Sequence, residues 1–147
     1  MFDPVAYEYE AAGKGYVVAS VGEASGEVPY TCFIAKNSWL KKNESTANGF
    51  LRAVMKAIKY INETPSETVA PYLTSYFEGT SPQSLAASVE RYRAIDAWQT
   101  DLIMTENSLN RLQDIIENAG ELSRRAGLNE LANNSYAEKV YKEIYKK

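Results

Sequence analysis

GEVPYTCFIAKNSWLKKNESTANGFLRAVMKAIKYIN, residues 26–62, joins a short apolar run to a long amphipathic segment through a turn, and its reading decides the fold class. Val28, Tyr30, Cys32, Phe33 and Ile34 form a compact β-prone run, whereas Phe50, Leu51, Val54, Ile58 and Ile61 recur at helical spacing. An extended run over 28–35 cannot satisfy its own backbone N–H and C=O groups and needs other strands. The chain offers one other good candidate, 16–21, rich in aromatic and β-branched residues. The expectation is an α/β chain, predominantly helical, with about six helices and two short strands near 16–21 and 28–35.

Working outward, Asp3 and Pro4 make a helix start, and Gly13 and Gly15 supply its end. GEASGE, 22–27, reads as a polar loop, and Asn37 to Asn43 as a short helical turn with Trp39 and Leu40. The long helix then places Phe50, Val54, Ile58 and Ile61 on one stripe and Arg52, Lys56 and Lys59 opposite. Thr64, Pro65 and Glu67 form a capping box for the next helix, which runs through Tyr76, and Ser81 with Pro82 start another that ends near Trp98. Thr105 opens a helix with Leu109, Leu112, Ile115 and Ile116 inward and a stop at Gly120. The last, 135–145, buries Tyr136, Val140, Tyr141 and Ile144.

The composition narrows the function classes. With 147 residues and 45% hydrophobic content, a core is readily built. Sixteen basic residues against 19 acidic ones give a net charge of -3 with no basic block, which argues against nucleic acid as a partner. Lys139, Lys142, Lys146 and Lys147 read as a solvated helix end. There is no histidine, so the usual general base and transition-metal ligand are missing, and no metal site or cofactor is expected. The one cysteine, Cys32, has no partner for a disulfide and is expected to be buried. The acidic pairs Glu8 with Glu10 and Asp114 with Glu117 read as solvated charge, and no catalytic residue is assigned. The opening MFDPVAYEYEAAGKG has neither the basic nor the apolar region of an export signal.

Several phrases stand in order along the chain: FDP at 2–4, GKGYVVASVGE at 13–23, GEVPYTCFIAKNSWL at 26–40, ANGFLRAVMKAIKYI at 47–61, ERYRAIDAW at 90–98 and LQDIIENAGEL at 112–122. Together they resemble the C-terminal half of the solute-binding proteins of ABC importers for sulfonates, nitrate and thiamine-pyrimidine precursors. The resemblance implies part of a type II periplasmic-binding-protein fold, with 1–36 as the end of the second lobe and the hinge crossing, and 37–147 as a helical portion packed on the first lobe. It also implies that the N-terminal part is lacking, so that the two strands lose their sheet partners.

By the same resemblance, Phe2, Asp3 and Pro4 lie near the ligand cleft and Tyr30 near the hinge. Each has a second reading. Asp3 either bonds a ligand amine or ring nitrogen or only caps a helix, and Phe2 either stacks on a flat ligand or frays. Tyr30 either walls the cleft or packs as an inter-strand aromatic, and Tyr92 with Trp98 reads as core. The implied function is non-enzymatic: extracytoplasmic capture of a small-molecule ligand for an ABC permease, weak or lost in a chain of this length. The competing expectation is a helical interaction module that forms a homodimer or larger assembly by strand pairing or segment exchange, covering the open strand edges.

Overall fold

The computed structural model describes residues 1–146; Lys147 lies outside the described residues. Among the described residues there are nine α-helices and one 3-10 turn, and no strand. The helices are α1 (Val5–Ala11), α2 (Val21–Ser25), α3 (Asn37–Lys42), α4 (Glu44–Glu63), α5 (Ser66–Leu73), α6 (Pro82–Ala94), α7 (Glu106–Asn118), α8 (Leu128–Leu131) and α9 (Ser135–Tyr145), with the 3-10 turn at Thr74–Tyr76. None is long and apolar enough to cross a membrane.

The α/β expectation is therefore corrected. Residues 15–20 and 28–36 have no regular structure, and Val21 is taken into α2. Tyr16, Val18, Tyr30 and Ile34 are 87%, 94%, 80% and 91% exposed. The physical reason is that β-propensity describes how a side chain fits a pleated, half-buried surface, while a strand exists only through backbone pairing. These runs have the side chains and lack the ladder. Cys32, expected to be buried within a strand, is exposed for the same reason. The type II periplasmic-binding-protein resemblance falls with the strands, because that fold is organised on sheets and no sheet is present among the described residues.

Helix ends follow local backbone chemistry. Gly13 and Gly120 adopt φ of 66° and 75° after α1 and α7, and the next residues, Lys14 and Glu121, donate back to the carbonyls of Tyr9 and Ile116. Ser81 accepts from the Ser84 N–H at α6, and Thr105 and Ser108 form a reciprocal box at α7. The capping box read at Thr64, Pro65 and Glu67 does not form: Pro65 is itself the N-cap of α5 and no side chain caps that end. Helix α6 stops at Ala94, short of Trp98, because Asp96 takes a left-handed φ of 52° and the Ala97 N–H turns back to the Tyr92 carbonyl.

Contacts divide the described residues into two compact units, 1–24 with 57–99, and 25–56 with the part from 100 onward. In the first, α5 and α6 pack together around Ala70, Leu85 and Ala86, with Leu73 against them. Arg93, on α6, donates to the carbonyls of Ile61 and Thr64, so a cation satisfies the last turn of α4, where the helix dipole is negative. Tyr92 and Trp98 meet edge to face at 5.8 Å, half-buried, and the Trp98 indole donates to the Val89 carbonyl at 3.5 Å.

In the second unit the core is Met55, Ala137 and Val140, with Leu51, Leu102, Ile103, Tyr141 and Ile144 packed around it. Met55 and Val140 are fully buried. The buried face of α4 thus carries Ala47, Asn48 and Met55, while Phe50, expected inward, is 47% exposed and meets Phe33 edge to face. On α7 Ile115 is 49% exposed and Gln113 is buried. The Gln113 amide explains the exchange: it donates to the Ala126 carbonyl at 3.1 Å and accepts the Ala126 N–H at 2.6 Å. Asn134 does the same for Met104, at 2.8 and 3.2 Å. Replacing Gln113 by Ala leaves both Ala126 groups without their partner, and the expected cost is about 1–3 kcal/mol in urea unfolding; an unchanged midpoint would show that water replaces the amide without loss.

Candidate functional site

Within the first unit, the segment around Phe2, Asp3 and Pro4 is tied down by Arg91. The Asp3 carboxylate accepts the Tyr7 N–H at 3.0 Å, one residue before the N-cap of α1, and takes Arg91 Nη1 at 3.4 Å. Arg91 Nη2 donates to Glu10, and the guanidinium lies 5.3 Å from the centre of the Tyr7 ring. Glu10 also accepts the Val17 N–H at 2.7 Å. One cation on α6 thus gathers two carboxylates and a ring from α1 and its approach, and the pair charge-assisted bonding supplies is stronger than neutral contact.

The sequence-predicted residues are placed as follows. The Asp3 side chain is 10% exposed and committed to Tyr7 and Arg91; Pro4 is buried; Phe2 is 66% exposed, with its carbonyl accepting the Ala6 N–H at 3.1 Å. Tyr30 is 80% exposed and belongs to the second unit. Phe2, Asp3 and Pro4 are thus together at the start of α1. Arg91 and Glu10 were missed as a site because they are 81 positions apart and each reads as ordinary helix-surface charge. The acidic pair Asp114 and Glu117 is likewise engaged, by Arg125 at 2.5 and 2.8 Å.

The Val17 N–H, and then Arg91, hold the Glu10 carboxyl below its usual 4.5. A carboxyl depressed in the folded chain contributes above the unfolded value and loses that contribution as pH falls through the lowered one. On acidification the Val17 amide resonance is expected to shift with a midpoint below 4.5, and Glu10→Gln is expected to abolish that transition. A transition that survives in the variant would assign it to another group.

Beside this cluster α1, α5 and α6 enclose an open groove of about 340 Å³. Tyr7, Pro82, Ala86 and Ala87 give it an apolar surface, and Ser66, Glu67 and Glu90 bring polar groups to it. Ser66 is 3% exposed and sits at the start of α5, the helix end that no side chain caps. Glu90 pairs with Arg93 at 2.7 Å. The groove is open to solvent and lined by both charged and apolar side chains.

Comparison with known proteins gives one relative. The chain is 39% identical over 143 residues to a protein of Bacillus subtilis (strain 168) named "Putative binding protein YtlA", an alignment that takes in 97% of this chain and 43% of the relative. The chain therefore spans less than half the length of the curated relative it matches. No family model matches the chain, and no solved structure matches it significantly.

Proposed function

We propose that this chain is a non-catalytic binding segment that takes up a small organic ligand. The observation that carries the reading is the similarity over 97% of the chain to a protein named for binding. The absence of histidine and the shape of the groove in the first unit support it. In its finer form, the ligand is captured outside the cytoplasm and passed to the permease of an ABC importer. Titration calorimetry of the full chain against a panel of small amines, carboxylates, sulfonates and heterocycles tests the reading. At least one class is expected to bind saturably and to be recovered unchanged; no binding by any class, or chemical conversion of the ligand, would overturn it.

A second reading has its own observation. The irregular runs at 15–20 and 28–36 leave Tyr16, Val18 and Ile34 almost fully exposed, which favours an interaction module that self-associates through them. Light scattering across micromolar concentrations separates the two: a homodimer supports association, and a monomer at every concentration refutes it.

A further inference from the structure

We infer that the groove between α1, α5 and α6 binds a small organic cation that joins a primary ammonium group, through a short apolar chain, to a neutral hydrogen-bond acceptor oxygen. This rests on the small-ligand reading above and names the ligand class and the place.

Three features of the groove lead to it. Ser66 is 97% buried by its 3% exposure, and its hydroxyl makes no hydrogen bond to the protein, yet it is not among the sealed side-chain atoms that lack a partner. Its remaining accessible surface therefore faces the groove it lines. A hydroxyl in that position is open to water, and a ligand oxygen can take the place of that water. The same end of α5 has no side-chain cap, so its first-turn N–H groups reinforce the demand for an acceptor.

The second feature is charge. Glu67 and Glu90 line the groove, and Arg93, which also donates to the Ile61 and Thr64 carbonyls, forms its ion pair with Glu90. Two carboxylates and one guanidinium leave the groove a net negative charge, which favours a cation and opposes a ligand that is wholly anionic. The third is apolar surface: Ala86, Ala87 and Tyr7 line the same groove. An alkyl spacer buries its methylenes there.

The probe is γ-aminobutyramide, titrated into the full chain and followed residue by residue in amide spectra. Saturable shifts are expected at Ser66, Glu67, Gln83 and Glu90. Butyramide, without the ammonium, and butylamine, without the acceptor, are each expected to bind about tenfold more weakly, in line with the loss of one charge-assisted or ordinary hydrogen bond. Ser66→Ala is expected to weaken γ-aminobutyramide about fivefold while leaving butylamine unchanged, and Glu67→Gln to weaken both ammonium-bearing probes about fivefold while leaving butyramide unchanged. Ala87→Gln, which fills the groove from a half-buried position, is expected to remove binding of all three.

Saturable shifts confined to other residues, such as those around Tyr30, would overturn the groove and leave small-ligand capture standing. Shifts at the groove that Ser66→Ala and Glu67→Gln do not change would overturn the assigned chemistry. No saturable shift with any of the three probes would overturn the inference, while the wider calorimetric panel decides capture separately.

Discussion

Leu85→Asp is expected to unfold the α5–α6 pair. Leu85 is 1% exposed and packs with Ala70, Ala86 and Leu73 at the centre of the first unit. A carboxylate placed there has no cation in the cluster to meet it, and an unpaired buried charge costs several kcal/mol even after relaxation. The loss should appear as collapse of amide protection across α5 and α6 and as reduced helical circular dichroism. Leu85→Met, which keeps volume and polarity, is expected to cost less than about 1.5 kcal/mol. Equal behaviour of the two variants would mean that Leu85 is not at the core of its unit.

Met55→Ala is the corresponding test of the second unit. Met55 is fully exposed to its neighbours and not at all to water, with Val140 and Ala137 buried beside it and Leu51, Ile103 and Ile144 around them. Truncation removes three heavy atoms' worth of packing and leaves a cavity, and the expected cost is about 2–5 kcal/mol. With a urea slope of about 2 kcal/mol per molar, the unfolding midpoint should fall by about 1–2.5 M. A cost under about 0.5 kcal/mol would place the core of this unit elsewhere.

The helices were legible where the signal was local. A capping residue, a proline or a glycine acts within a few positions, and the start of α6 at Ser81 and the end of α7 at Gly120 follow directly from such residues. The strands were not legible. The run with Tyr30, Phe33 and Ile34 has the composition of a strand, but pairing depends on a partner that no local pattern encodes, and in the structure it has no regular structure and is exposed. The resemblance to type II binding proteins rested on phrases spread over nearly the whole chain, and the sheet it implied is not present among the described residues.

Faces of helices failed for a related reason. Apolar spacing put Phe50 and Ile115 inward, yet Met55 and Gln113 take the buried positions, because the packing neighbour and a bidentate amide bond decide which side turns in. Phe2, Asp3 and Pro4 were chosen by resemblance, and Asp3 carries the N–H of Tyr7 as a capping residue does. Arg91, which holds that segment, has no sequence signal, since its partners Asp3 and Glu10 lie far away along the chain. Ser66 was passed over because a serine at a helix start reads as an ordinary first-turn residue; only its burial without a partner marks it.

This chain is a helical scaffold whose two β-prone runs carry no ladder, and residue-resolved amide hydrogen exchange measures that property residue by residue. Slow exchange is expected in α4, α6, α7 and α9, and exchange near the unprotected rate across 15–20 and 28–36 apart from Val17, whose N–H is held by Glu10. Slow exchange at alternate residues of both runs, the pattern of a paired antiparallel edge, would contradict it.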